Sequence, residues 1–179
     1  MDDQQDTTGE RPVSQTREQI AIEAKRIEES LLHSSKGHFA AADRWANLHL
    51  WIGLPMILFS SIAGAAALSE FDPKHIIAGL LSIIVAVLSA VITFLNPNQK
   101  VSAHLAAGNS YDALLNEVRI FRTIGCWEEK SDAVISERLR HFSARKTHLN
   151  QTCPQVPRWA YLTGKKGIDA GEGKYAVDV

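Results

Sequence analysis

The feature that most constrains this chain is a pair of long apolar runs with almost nothing between them. Between Arg44 and Glu70 there is no Asp, Glu, Lys or Arg, and the same holds between Lys74 and Lys100. Leu48 to Leu68 is 21 residues and Ile76 to Leu95 is 20. As helices, each extends about 30 Å, the thickness of a bilayer hydrocarbon core. A soluble helix pair buried on every side passes the same composition test. Two consecutive full-length runs, joined only by SEFDPK, favour a hairpin in lipid.

The pattern therefore predicts an all-α membrane protein. A two-helix transmembrane hairpin, residues 45–69 and 75–96, is flanked by an N-terminal cytoplasmic helix and a C-terminal cytoplasmic helical pair. The bilayer is the first partner this implies. Trp45 and Trp51 stand at the start of the first span, where amphipathic rings favour the interface, and His49 lies at the same boundary. Lys36 and Arg44 precede the first span and Lys100 follows the second, whereas the connection holds only Lys74. The positive-inside bias places both termini in the cytoplasm and the SEFDPK turn outside.

Two prolines are candidate kinks. Pro55 has no N–H for the carbonyl of Trp51, so a membrane helix either starts near Leu54 or bends there. Pro97, between Asn96 and Asn98, breaks or bends the second helix at its exit. The first span turns small towards its end, from Ser60 to Ala67. The second carries an ordered small face: Ala78, Ser82, Ala86 and Ala90 repeat every four residues, and Ser82, Ala86, Ser89 and Thr93 form a related stripe. These six residues are candidates for helix packing, either against the first span or between copies. Alternatively they line a water-filled path, with the hydroxyls of Ser82, Ser89 and Thr93 facing it. Two helices enclose no lumen, so a pore requires a homo-oligomer.

Outside the hairpin, residues 1–15 are too polar to offset the entropy of ordering and read as a disordered tail. Thr16 with Gln19 has capping-box spacing, and Ile20, Ala24, Ile27 and Leu31 form one stripe on a helix over 16–44. Ser34, Ser35 and Gly37 weaken that helix and mark a bend. After the hairpin, residues 101–150 read as two helices. Leu105, Tyr111, Leu114, Leu115, Val118 and Phe121 face inward on one, and Ile135, Leu139, Phe142 and Leu149 on the other. Arg138, Arg140, Arg145 and Lys146 give the latter a basic face, either solvated or set against anionic headgroups. Residues 151–179, glycine-rich, are expected to be irregular. Residues 16–175 make a single unit.

The sequence carries no recognisable catalytic set. The seven histidines are scattered, with no HExxH, GxSxG or GxGxxG. Cys126 and Cys153 have no zinc or redox spacing and read as reduced thiols. A net charge of −1 gives no case for nucleic acid. No charged residue lies within either span, which disfavours a proton-relay transporter. No enzyme activity, cofactor or metal is expected.

Taken in order, these parts resemble the SLATT family of bacterial two-transmembrane effectors, which associate with nucleotide-second-messenger synthetases and SLOG nucleotide sensors. The stretch WIGLPMILFSSIAGAAAL is similar to the family's first span. FLNPNQKVSAHLAAGNSYDALLNEVRIF is similar to its second-span exit, with His104, Gly108, Tyr111, Leu114 and Glu117 in the usual places. PQVPRWAYLTGKKGIDAGEGKY resembles the closing segment. The resemblance implies a pore-forming or membrane-disrupting effector of an antiphage conflict system, acting as an oligomer in the bacterial inner membrane. It also implies a trigger delivered by a nucleotide synthetase or sensor partner, or through a ligand site between copies. The alternative is a non-conducting membrane-anchored adaptor or scaffold.

Overall fold

The structure, a computed structural model, describes residues 13–68, 74–129 and 131–175. Most of the expected N-terminal tail and nearly all of the SEFDPK turn lie outside the described residues. Most of those described are helical, with no strand among them.

One helix organises the molecule. α1 (Val13–Ala67) has 55 residues and runs through both the expected cytoplasmic helix and the first span. At 1.5 Å per residue it is about 80 Å long. The expected division at residues 44 and 45 is therefore corrected: there is no joint. Nor does the chain break at Ser34–Gly37, where Ser34 Oγ donates to the Ser30 carbonyl at 3.0 Å and Ser35 Oγ to the Leu32 carbonyl at 3.1 Å. Packing along a continuous seam overrides the weak local propensity. The seam begins with Ile20, Ala24, Ile27, Leu31, Ser35, His38 and Ala42, all buried. It continues through Trp45, His49, Ile52, Met56, Phe59, Ala63 and Ala66, of which Ala63 is buried and the rest half-buried. Steps of four and three alternate almost throughout, the spacing of two helices packed as a left-handed pair. The helix also continues across Pro55, so the first membrane helix does not start at Leu54.

The return path is α2 (Lys74–Leu95) followed by α3 (Pro97–Ile120). Only Asn96 separates them, so the expected helix start at Val101 moves to Pro97. Asn96 adopts a left-handed conformation, φ 43° and ψ 59°, which Asn tolerates better than most residues. Pro97 then occupies the first helical turn, where its missing N–H costs nothing. The candidate at Pro97 thus stands beside a one-residue joint. α2 packs along the apolar half of α1 and α3 along the other half.

Both apolar helices are long and apolar enough to cross a membrane, and only 6% of each apolar window is buried within the chain. Leu68 is 90% exposed, Phe94 88% and Ile76 78%. A soluble hairpin would bury such side chains; a band of this size facing water is unfavourable, whereas lipid tails cover it without cost.

The half away from the hairpin has an ordinary aqueous core. Ile20, Ala24, Ile27 and Leu31 meet Tyr111, Leu114, Leu115, Val118 and Phe121, with Ile135 and Cys126 completing the cluster. A π-helical turn, Phe121–Gly125, and the short α4 (Cys126–Glu128) lead to α5 (Asp132–Thr152). Leu139, Phe142 and Leu149 of α5 pack on the cluster, as their spacing predicts, whereas Leu105 on α3 is 40% exposed and outside it. Two partly buried ion pairs hold the far end: Arg17–Asp132 at 2.9 Å and Arg122–Glu28 at 2.7 Å. Cys126 and Cys153 are both free thiols.

The expectation of an irregular tail is corrected by α6 (Arg158–Asp169). This helix packs on α1. It can come close because two glycines face the contact: a Cβ on Gly164 would stand 2.9 Å from the Gly37 nitrogen, and one on Gly37 would stand 2.9 Å from Val156 Cγ1. α6 closes with a Schellman turn. Glu172 N–H bonds to the Gly167 carbonyl and Gly171 N–H to that of Ile168, both at 2.9 Å, and Gly171 has φ 102°.

Candidate functional site

The six candidates on the second span divide. Ala78 is buried against α1. Ser82, Ala86, Ser89, Ala90 and Thr93 are exposed. The positions turned towards α1 are instead Leu81, Val85, Leu88, Ile92 and Leu95, all half-buried, which continue from Ala78 in steps of three and four. The hairpin is thus closed mainly by large side chains, and packing of the small face against the first span is corrected. α1 repeats the arrangement: Ser60, Gly64 and Ala67 are exposed, and a Cβ added at Gly64 would meet nothing within 4 Å. Most of the side chains that α2 turns to α1 are therefore large, and small groups lie among the large ones left outside.

Three hydroxyls on the two spans are internally satisfied. Ser82 Oγ donates to the Ala78 carbonyl at 2.8 Å, Thr93 Oγ1 to that of Ser89 at 2.9 Å, and Ser61 Oγ to that of Ile57 at 2.8 Å. Bonds of this type let a hydroxyl sit in lipid.

Where the hairpin meets the helical core, α1 and α3 each contribute a histidine. His38 and His104 are 2% and 6% exposed, and their Nδ1 atoms are 3.0 Å apart. One must donate and the other accept, so the pair requires complementary neutral tautomers. The Tyr111 ring stacks on His38, 5.3 Å between centroids, and its hydroxyl donates to Asn150 Oδ1 of α5 at 2.9 Å. Burial, then the charge of the neighbouring His104, lowers the His38 pKa to about 4. Burial, then nearby Lys100, lowers that of His104. Both rings therefore stay neutral at neutral pH, and one polar chain ties three helices together just below the hairpin.

No protein-family model, curated protein or solved structure matches this chain. Its residues must be interpreted on their own geometry. Those that carry the family resemblance have structural jobs. Gly108 accommodates the Phe39 ring, since a Cβ there would lie 2.7 Å from Phe39 Cε1. Leu114 is fully buried. Glu117 accepts from both terminal nitrogens of Arg145, and these bonds hold its carboxyl below the usual range.

That pairing also resolves part of the basic face on α5. Arg145 is committed to Glu117, and Arg140 to Glu137 at 3.2 Å. His49, expected at the interface, lies on the α1 seam, with its Nδ1 buried and without a hydrogen-bond partner. Among the described residues, no three His, Cys, Asp or Glu side chains group as a metal site. The His38–His104 pair was missed from sequence because 66 positions separate its members, and neither stands in a metal or catalytic motif. The signal was that both fall on the inward stripe of their helices.

Proposed function

We propose that this chain is a membrane-embedded homo-oligomer, both termini cytoplasmic, that acts as a pore-forming or membrane-disrupting effector in a bacterial nucleotide-signalled conflict system. The observation that carries the reading is the exposed small face of α2. Within one copy most of it is left exposed, and in lipid such faces favour close helix association. The long α1 supplies the coupling. It is a single rod from the aqueous core to the end of the hairpin, so a change in how the cytoplasmic helices associate shifts the packing of the spans. The trigger in this scheme is a nucleotide synthetase or nucleotide-sensor partner acting on the cytoplasmic bundle. No catalytic step, cofactor or nucleic acid enters it.

Induced expression in bacteria with a membrane-potential dye tests the effector reading, and depolarisation with arrested growth is the expected result. Ala86→Leu places a bulky group on the exposed face without touching the α1–α2 seam. It should reduce crosslinked oligomers to monomers and restore polarisation, while leaving the protein in the membrane pellet. Full toxicity and an unchanged crosslinking pattern in that variant would show the face to be idle.

A non-conducting adaptor is favoured by one specific observation, the back-bonded hydroxyls of Ser82 and Thr93, which need no water. Single-channel recording of the purified protein separates the two: discrete conductance steps support the pore, and a silent bilayer with intact oligomers supports the adaptor.

A further inference from the structure

At the level where the first span begins, α1 and α6 enclose a cavity of about 440 Å³ lined by Arg44, Trp45, Asn47, Leu48, Trp51 and Trp159. Its chemistry is graded. Leu48 opens the apolar run, and Trp51 is 78% exposed on the hydrocarbon side. Arg44 lies on the other side with its guanidinium over the Trp159 ring, 4.6 Å from the centroid. A stacked guanidinium keeps its N–H edge free for an oxyanion. Lys100, from the start of α3, sits over the Trp45 ring at 4.5 Å. Neither cation has a carboxylate partner among the described residues, where Arg17, Lys36, Arg122, Arg140 and Arg145 all do. Two acids line the adjoining cavity: Asp43, and Glu172, which already pairs with Lys36 at 2.9 Å.

We propose that this cavity is a binding site for the phosphodiester headgroup of an anionic membrane lipid. The Arg44 guanidinium edge and the Asn47 amide hydrogen-bond the phosphate oxygens. Lys100 adds positive potential from beyond Trp45. Leu48 and Trp51 run along the first carbons of an acyl chain. A free phosphate would use the polar half of this cavity alone; its continuity with the exposed apolar band selects a phosphate attached to a lipid. The docking of α6 through Gly164 brings Trp159 over Arg44, so the site exists only where α6 is seated. The proposal rests on the hairpin lying in a bilayer and is independent of conduction.

The test uses the full-length protein reconstituted in phosphatidylcholine vesicles containing brominated phosphatidylglycerol, with quenching of tryptophan fluorescence as the readout. Quenching should saturate at low phosphatidylglycerol content and be at least tenfold weaker with brominated phosphatidylcholine at matched levels. Arg44→Gln should raise the half-saturating phosphatidylglycerol content by about tenfold, as expected for loss of a charge-assisted hydrogen bond. Arg44→Lys should fall between, and Arg140→Gln should match the unaltered chain. Soluble glycerophosphoglycerol and inorganic phosphate at millimolar levels should leave the quenching unchanged. Equal quenching by the two lipids, or an Arg44→Gln variant that retains α6 docking by proteolysis and binds normally, would overturn the site. Displacement by inorganic phosphate would overturn the lipid assignment. Failure of the protein to float with the vesicles would instead sink the membrane reading beneath it.

Discussion

Gly164→Leu is expected to lift α6 off α1 and raise trypsin cleavage at Arg158, Lys165 and Lys166 at least tenfold. A Cβ at position 164 would stand 2.9 Å from the Gly37 nitrogen and the Lys36 carbonyl carbon. Both atoms belong to the backbone of a long helix packed along its length, so they cannot yield as a flexible side chain would. Forcing extra carbons into such a contact costs about 1–3 kcal/mol when the neighbours can adjust. Here the cheaper response is for α6 to leave, because a helix of 12 residues is marginal once its packed face is exposed. Undocking also loses the Lys36–Glu172 ion pair and the stacking of Arg44 on Trp159. The core built from α1, α3 and α5 does not depend on this contact, so cleavage should be confined to the C-terminal segment. Gly79→Leu is the matched control, since a Cβ there meets nothing within 4 Å. If Gly164→Leu resists trypsin as well as the control does, the glycine crossing is not what seats α6.

The parts of the fold legible in the sequence are those governed by periodicity and length. The stripe from Ile20 to Leu31 announced a helix and its inward face, and those positions are buried; the two apolar runs announced helices. What was not legible depended on distant partners. Gly37 has poor helix propensity alone, and nothing nearby signals that α6 arrives across it. For the same reason the glycines after Pro154 suggested irregular chain, when Gly164 serves a helix crossing and Gly171 a helix end. On α2 the small and large faces were both visible. Which of them closes the hairpin was not, because α1 offers residues of both sizes and the choice follows from the register of the two helices. The histidine pair illustrates the same limit: each ring has a polar partner only because the hairpin brings 38 opposite 104.

Lowering the pH from 7.5 to 5 should loosen the junction between hairpin and core, and replacing His38 should remove most of that dependence. The folded pKa of His38 is about 4 against an ordinary 6.5, and that of His104 is lowered too. A depressed histidine pKa means the unfolded chain takes up the proton first. Stability is therefore complete above pH 6.5, declines as pH falls below it, and stops declining near pH 4, where the folded state is protonated as well. The full span for His38 is about 3 kcal/mol, of which about 2 kcal/mol is lost by pH 5. Melting followed by circular dichroism should show a fall in Tm of roughly 5 °C over that range. Structurally, a second proton would set two N–H groups against each other across 3.0 Å, and Tyr111 and Asn150 would shift with His38. Glu117 does not confuse the measurement: its pKa is held low by Arg145, so its stabilisation persists at pH 5 and fades only in stronger acid. His38→Asn keeps a polar group near the Nδ1 position without a titrating proton. The variant should keep only the smaller pH dependence carried by His104, whose pKa burial and Lys100 still lower. A variant that still loses 5 °C between pH 7.5 and 5 would place the acid-sensitive group elsewhere.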